Sequence, residues 1–293
     1  MARNTCTHDG VSRRDFMHLT CGCALAVATF GEAFANSDPI RVAQAGGSAM
    51  GGKARATFLG HSAFRIDTPG GKTIYIDPWL GNPKAPAGAK MVDKADLILV
   101  THGHPDHLGE TVEIAKKTNA RLLSLNDLSV YFENQGVPPA NLFRMSLGGT
   151  GSPIPGVAIK VTMVRADHSS VVYYTDPQTK ITSIIPTGAA VGYIIQLENG
   201  LRIYHAGDTA LYGDMELFGK RYKPDIAMLP IGDRFTMGPD DAAEAARMWG
   251  VKTAIPIHYG TFPLLTGTAE AFKQALGPQI ALQAPAPGDT IEF

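Results

Sequence analysis

The sequence predicts an α/β fold in which two β-sheets lie face to face and helices cover their outer sides. Three observations lead to this prediction: short strand-like segments, helical segments between them, and polar residues at the ends of several strands. Early hairpins come first along the chain, and mixed α and β segments follow. With 293 residues and a hydrophobic share of 44%, the chain is long enough to bury one large core.

The strands are predicted from period-2 alternation or from short apolar blocks bounded by Gly, Pro and Asp. They fall near residues 55–59, 62–67, 73–77, 97–101, 120–124, 157–165, 191–197, 201–206, 226–229 and 253–257. Helical periodicity occurs at 108–118, 126–135, 239–249 and 268–276. Pro239 followed by two aspartates is typical of a helix start, and Gly250 is typical of a helix end.

Residues 169–192 are predicted to form a long loop, because prolines and glycines interrupt any periodicity there. Long loops often cover a functional site. Tyr173 and Tyr174 in this segment either contact the substrate or pack against the rim of the site.

The first 35 residues have the pattern of a twin-arginine signal peptide. Arg13 and Arg14 precede a mildly apolar run over residues 19–30, and Ala33-Phe34-Ala35 offers a cleavage site. The apolar run is shorter than the roughly 20 residues that span a bilayer, so no stable membrane insertion is expected after cleavage. The alternative is an amphipathic or disordered tail.

This pattern divides the chain into a signal peptide at 1–35, a flexible Gly-, Ala- and Ser-rich linker at 36–53, and one domain at 54–293. It predicts a periplasmic or secreted bacterial protein, with the twin-arginine export machinery as a partner of the precursor.

Charge and cysteine content exclude several function classes. The net charge is −1 with both signs dispersed, so no basic patch predicts binding to nucleic acid. All three cysteines lie in the leader, and the remaining chain has none for a disulfide or a thiol nucleophile. The sequence contains no Gly-x-Ser-x-Gly pattern, so it gives no indication of a serine nucleophile. A small-molecule substrate is expected, and nothing indicates the oligomeric state.

The most informative segment runs from Thr101 to Gly109 and follows the apolar strand at 97–100. It contains His102, His104, Asp106 and His107. Histidine is the commonest metal ligand, and a carboxylate beside it suits a divalent cation. Ligands at the carboxyl end of a strand are where open α/β sheets place their sites.

Further candidate ligands follow other predicted strands. His168 comes after the strand at 157–165, Asp208 after that at 201–206, and His258 after that at 253–257. Packing alone does not explain why each candidate lies at the end of a strand. The sequence therefore predicts one metal centre assembled from distant segments.

The order His-x-His-x-Asp-His, lone His, Gly-Asp-Thr and late His resembles the metallo-β-lactamase superfamily. More narrowly, the chain resembles the UPF0173 group of metal-dependent hydrolases, relatives of the ascorbate-6-phosphate lactonases. The resemblance covers about Arg55 to Phe293. The matching segments are 59–64, 76–83, 102–109, 204–209, 229–239 and 256–263. Pro105 departs from the group, which usually carries a small residue there, and is expected to stiffen the loop.

This resemblance implies a four-layer αββα metallo-β-lactamase sandwich that holds two divalent metal ions, zinc first, with manganese or iron as alternatives. It implies that His102, His104 and His168 bind one ion and that Asp106, His107 and His258 bind the other, with Asp208 bridging them. Two cations that share a water lower its pKa toward neutrality, which makes hydroxide available as a nucleophile.

Other residues have open roles. Asp106 is expected to orient the attacking water as well as to bind metal, and His61 either faces the substrate as a catalytic group or packs in the core. Asp77 either supports a ligating histidine or caps a turn. His205 is expected in the core or behind the ligands. Arg234 either binds an anionic substrate group or forms a structural ion pair.

The predicted function is metal-dependent hydrolysis of a small ester-like substrate, with a lactone or a phosphodiester favoured. The alternatives are a mononuclear iron enzyme that uses oxygen, an exported β-lactamase, and a binding protein without catalysis. Fold resemblance does not by itself identify the substrate, because function belongs to the site.

Overall fold

A computed structural model describes residues 52–293, which form two seven-stranded β-sheets, a separate β-hairpin and helices on both outer sides. The proposed signal peptide and the linker up to residue 51 lie outside the described residues. Lys53, at the start of the described chain, forms an exposed ion pair with Glu292 near the C-terminus.

The first sheet is built mainly from the N-terminal half of the domain. Its strands are β1 (Arg55–Phe58), β2 (Phe64–Asp67), β3 (Thr73–Ile76), β4 (Leu97–Leu99), β5 (Arg121–Leu125), β6 (Leu142–Met145) and the C-terminal β16 (Thr290–Glu292). The spatial order is β16-β1-β2-β3-β4-β5-β6. Pairing is antiparallel from β16 to β3 and parallel from β3 to β6. The carboxyl ends of β3 and β4 therefore meet at one edge.

The second sheet uses the C-terminal half. Its strands are β7 (Thr150–Gly151), β8 (Lys160–Arg165), β11 (Val191–Gln196), β12 (Arg202–His205), β13 (Ile226–Pro230), β14 (Thr253–Ile257) and β15 (Ala281–Leu282). The order is β15-β14-β13-β12-β11-β8-β7, parallel from β12 to β15. The carboxyl ends of β12 and β14 thus also point the same way.

Three buried clusters define the layers. The largest joins inward residues of both sheets, such as Ile74 and Leu97 from the first and Met228 and Ile255 from the second. Two others lie between each sheet and its helices. Alternate residues of β13 explain the arrangement, because Met228 faces the other sheet while its neighbour Leu229 packs under helices. The predicted αββα sandwich is confirmed.

The helices lie at α1 (Pro105–Leu108), α2 (Thr111–Thr118), α3 (Asn126–Asn134), α4 (Asp214–Tyr222), α5 (Pro239–Trp249) and α6 (Ala269–Leu276). The predicted helix at 108–118 is divided at Gly109, which ends α1 with a positive φ. Pro105 occupies the first position of α1, where its missing N–H is not needed. No helix in the part of the chain that the structure describes combines the length and apolar character that crossing a membrane requires.

The structure corrects the sequence prediction at several segments, and the strands β6, β7, β15 and β16 were not predicted. The predicted loop at 169–192 contains a hairpin, β9 (Val171–Thr175) and β10 (Thr182–Pro186), whose β-branched and aromatic residues were the overlooked indication. Helix α4 was not predicted, because Gly219 in its interior lowers helix propensity. A β-carbon there would lie 2.5 Å from the Met248 carbonyl oxygen, so close packing against α5 explains the glycine.

Candidate metal centre

The candidate ligands meet where the two sheets present strand ends to each other. His102 follows β4, Asp208 follows β12 and His258 follows β14, and all three are buried. Gly207 allows this close approach, because its φ is +61° and a β-carbon would lie 2.8 Å from Thr101 Cβ. The structure brings together all seven residues that the sequence predicted as ligands.

One group consists of His102, His104 and His168, whose ligand atoms all lie within 4.8 Å of one another. His102 Nε2 and His104 Nδ1 are 3.0 Å apart. Nitrogens bound to one tetrahedral zinc ion at its usual bond length are about 3.3 Å apart. The group therefore has the donor set and the spacing of a three-histidine site.

A second group consists of Asp106, His107 and His258, with His61 behind them. His107 is fully buried, whereas the Asp106 side chain is 26% exposed. His258 Nε2 lies 3.8 Å from Asp106 Oδ2. This group faces the same opening as the first.

Asp208 lies between the two groups. Its Oδ2 is 3.0 Å from His258 Nε2, 3.8 Å from His168 Nε2 and 3.9 Å from His102 Nε2. Its Oδ1 is 3.3 Å from His107 Nε2. One carboxylate thus contacts ring nitrogens from both groups.

Asp77 sets the proton positions on one histidine of each group. Thr101 donates its backbone N–H and its hydroxyl to the two Asp77 oxygens, at 2.8 and 2.7 Å. His107 Nδ1 donates to Asp77 Oδ2 at 2.7 Å, and His102 Nδ1 donates to the Thr101 hydroxyl oxygen at 3.0 Å. Because both Nδ1 atoms carry the proton, both Nε2 atoms present a lone pair to the cluster.

This proton arrangement shows that the residues fit a cation. When the His107 ring is neutral, its Nε2 lone pair faces Asp208 Oδ1, and both atoms are buried without a hydrogen-bond partner. Buried polar atoms are rarely left unpaired. A metal ion would satisfy both atoms, so the donor set suits a divalent cation.

The pKa values of Asp208 and His258 also agree with a cation site. Burial alone would raise the pKa of the Asp208 carboxyl, but His107 and His258 reverse this and hold the pKa well below its usual value. Burial lowers the pKa of His258, yet Asp208 and Asp106 outweigh burial and raise the pKa to about 9. Without a cation, the two carboxylates therefore attract protons to the histidines. A metal ion and protons therefore compete for the same histidine nitrogen atoms.

His61 packs behind Asp106 and does not line the opening. It is 1% exposed, its Nε2 donates to Asp106 Oδ2 at 3.2 Å, and its Nδ1 accepts from the Thr261 hydroxyl at 2.9 Å. Burial lowers the pKa of His61 to about 4, so the ring is neutral at physiological pH. Of the two sequence alternatives, the packed histidine agrees with the structure, and its contact with Asp106 makes it a positioning residue.

The remaining candidates lie outside the ligand cluster. His205 is buried, accepts from the Gly207 N–H and donates to the Ser62 carbonyl at 3.0 Å, so both ring nitrogens are occupied. The Arg234 guanidinium lies over the Phe235 ring, 5.7 Å from its centroid. Thr101 and Thr261 were missed as contributors, because a threonine hydroxyl carries no sequence pattern that identifies its partner.

Backbone strain is concentrated here. Of eight non-glycine residues with positive φ among residues 52–293, five lie in or beside the cluster: His61, Asp77, Asp233, Arg234 and His258. Such conformations persist where the surroundings enforce them, often at functional sites.

A cavity of about 360 Å³ opens onto the cluster and is lined by His104, Asp106, His168, Asp208 and His258. This volume is sufficient for a small molecule. A larger cavity of about 700 Å³ lies between α4 and α5 and contains none of these residues. The smaller cavity is therefore the candidate substrate site.

Comparison with known proteins agrees with this geometry. Residues 72–259 match the family model described as a β-lactamase superfamily domain. A UPF0173 metal-dependent hydrolase of Cupriavidus necator is 45% identical over 280 residues, covering 92% of this chain and 97% of the relative. One from Rubrobacter xylanophilus is 44% identical, covering 83% and 98%.

Solved structures show the same fold. A metallohydrolase from Ignicoccus hospitalis superimposes with a TM-score of 0.70 at 31% identity, covering 82% of this chain and 98% of the other. An isothiocyanate hydrolase from Delia radicum gut bacteria has a TM-score of 0.62 at 20% identity, covering 82% and 98%, and supports the fold alone.

Proposed function

The chain belongs to the metallo-β-lactamase superfamily and to its UPF0173 group of metal-dependent hydrolases, and from that premise we propose that it cleaves a small ester-like substrate, a lactone or a phosphodiester, with two divalent metal ions. The observation that carries the proposal is the position of Asp208, whose carboxylate oxygens contact ring nitrogens of both histidine groups.

In this proposal His102, His104 and His168 hold one ion, Asp106, His107 and His258 hold the other, and Asp208 is shared. Zinc is the first choice because imidazole and carboxylate ligands suit it, and manganese or iron are alternatives. When bound, such ions supply an activated water and polarise the substrate oxygen on which charge develops.

The chain's own residues orient the reactants. Asp106 lines the cavity, and its carboxylate can accept a hydrogen bond from the attacking water. His61 holds Asp106 from behind and remains neutral, because its pKa is lowered to about 4. Asp77 keeps the Nε2 lone pairs of His102 and His107 directed at the cluster.

A single iron on the first group is the principal competing function. The second group of Asp106, His107 and His258 is complete, and Asp106 and His258 line the same cavity, which favours two ions over one.

Metal content per chain is the test, measured by elemental mass spectrometry on protein purified without chelator. We expect two ions per chain, together with hydrolysis of lactones or of bis(p-nitrophenyl) phosphate that chelation abolishes and metal restores. One iron per chain with oxygen uptake would favour the redox enzyme. Cleavage of a β-lactam alone would favour a β-lactamase, and tight metal binding with no turnover would favour a binding protein.

We also propose export by the twin-arginine route, cleavage near Ala35 and a periplasmic or secreted mature protein. The support is the order of Arg13-Arg14, apolar run and Ala-x-Ala. Replacing both arginines by lysine should leave the precursor in the cytoplasm, as cell fractionation would show. Normal periplasmic recovery of that variant would contradict the proposal.

A further inference from the structure

Aromatic side chains surround the cavity that opens onto the candidate ligands. Tyr173 from β9, and Phe235 and Phe262 from two loops of the C-terminal half, line it together with the cluster residues, Pro105 and Ser169. Tyr173 and Phe235 are each 51% exposed, and Phe262 is 36% exposed. Single exposed hydrophobic residues need no explanation, but three that converge on one cavity form a binding surface.

Each ring is held in place by the surrounding structure. The Tyr173 ring lies nearly parallel to that of His104, at an interplanar angle of 14° and 6.5 Å between centroids. Phe262 packs on Trp79 with centroids 5.8 Å apart. Phe235 follows the left-handed residues Asp233 and Arg234. In the structure the three rings therefore lie around one opening.

The same cavity offers little to a charged substituent. Among the described residues, no lysine or arginine lines it, and its ionisable groups are the cluster histidines with Asp106 and Asp208. Arg234, the candidate anion-binding residue, is not among the lining residues and lies over the Phe235 ring. A phosphate or carboxylate outside the reacting centre would lose water without gaining a cationic partner.

From these observations we propose that the substrate is a neutral carboxylic ester or lactone whose side group beside the scissile bond is apolar and lies against Tyr173, Phe235 and Phe262. This rests on the proposed function and selects one of its two substrate classes. Water oxygen bonds to the carbonyl carbon, the acyl C–O bond breaks, and the leaving oxygen takes a proton from that water. An open-chain ester gives a carboxylic acid, which ionises, and an alcohol, whereas a lactone gives one hydroxy acid that carries both groups.

The β9–β10 register supplies a matched pair of variants. Tyr173 pairs with Ile184, so both occupy the cavity face of the hairpin, and Tyr174 pairs with Ser183 on the opposite face. Tyr174 has the same exposure as Tyr173 but does not line the cavity. The two tyrosines differ chiefly in the face that they occupy.

The experiment compares kcat/KM for γ-lactones with increasing alkyl side chains in the metal-loaded wild type, Tyr173→Ala, Tyr173→Phe and Tyr174→Ala. Burial of one methylene contributes about 0.8 kcal/mol, so we expect about a fourfold rise per methylene in the wild type until the cavity is filled. Tyr173→Ala should flatten this dependence. Tyr173→Phe and Tyr174→Ala should retain it, with metal content unchanged in all variants.

Binding supplies a readout independent of turnover. The chain has two tryptophans, of which Trp79 contacts Phe262 while Trp249 lies in the core under the helices. Hexanoate, a product-like carboxylate, should change Trp79 fluorescence at lower concentration than acetate, and Tyr173→Ala should remove the difference. A Trp79→Phe variant should lose the fluorescence change and so identify the reporter.

Three results would overturn the inference: no dependence on alkyl length, equal flattening by Tyr174→Ala, or preference for a phosphorylated lactone or a phosphodiester. If no ester of any kind is cleaved, the proposed hydrolysis fails, while the fluorescence comparison still tests the apolar cavity by itself.

Discussion

The cluster of candidate ligands and the β9–β10 hairpin face the same cavity but are built in opposite ways. His102, His107 and Asp208 are at most 2% exposed and lie among strand ends of two packed sheets. Every residue of β10 is exposed, and the hairpin belongs to neither large sheet. A two-stranded hairpin has little stability of its own.

The difference separates two requirements of an enzyme. Ligand geometry must be held closely, which the core achieves through dense packing and buried hydrogen bonds. Substrate selection needs an accessible surface that can change without disturbing the ligands. We therefore expect cluster variants to change metal binding and rate, and hairpin variants to change substrate preference.

The largest expected effect comes from Asp208→Ala. Losing an outer partner of a metal ligand costs roughly 10–100-fold, so losing the shared carboxylate itself should lower activity by more than about 100-fold. At least one ion should be lost while circular dichroism stays unchanged. Full activity with unchanged metal content would contradict the comparison. The cluster would then tolerate substitution as well as the hairpin is expected to.

Asp77→Asn tests whether a residue without access to the cavity controls the ligands. The amide can donate to His107 Nδ1, which would move the imidazole proton to Nε2 and remove the lone pair that faces Asp208. We expect roughly 10–100-fold weaker metal affinity. Calorimetric metal titration measures the affinity, with Asp93→Asn as control because the Asp93 side chain is 89% exposed. Unchanged affinity would show that proton placement by Asp77 is unimportant.

Acidification should weaken metal binding. In the metal-free cluster burial lowers the pKa of His258, but Asp208 and Asp106 raise it to about 9, so this histidine is protonated below that pH and must lose its proton to bind metal. Apparent affinity should rise about tenfold per pH unit between about pH 6 and pH 9 for each proton displaced. Metal titration in weak buffer should show proton release. A pH-independent affinity would contradict the assignment of His258 as a ligand.

The smallest expected effect comes from Thr261→Val. It removes the hydroxyl that His61 Nδ1 accepts from and loosens the histidine that holds Asp106. A hydrogen bond of this kind contributes about 1 kcal/mol, so kcat should fall about fivefold with metal content and alkyl-length dependence unchanged. Thr290→Val, an exposed site in β16, is the matched control. A loss of alkyl-length dependence in Thr261→Val would contradict the expectation that only hairpin variants change substrate preference.

Local sequence patterns were sufficient for much of the fold. Apolar blocks identified most strands of both sheets, and the candidate ligands were found because His102 and His104 follow such a block directly. The hairpin and α4 were missed for local reasons as well: prolines and glycines masked the period-2 pattern of β9 and β10, and Gly219 weakened the helical one.

The amino-acid sequence alone predicted two face-to-face sheets and seven candidate ligands from short-range patterns and motif order, and the resemblance to the superfamily added the αββα sandwich. The roles of Asp77, Thr101 and His61 depended on the folded chain. His61 meets Thr261 from 200 residues away, and Asp77 reaches His107 across 30 residues. Side-chain orientation and proton position follow from such contacts between distant segments, and a local pattern does not contain them.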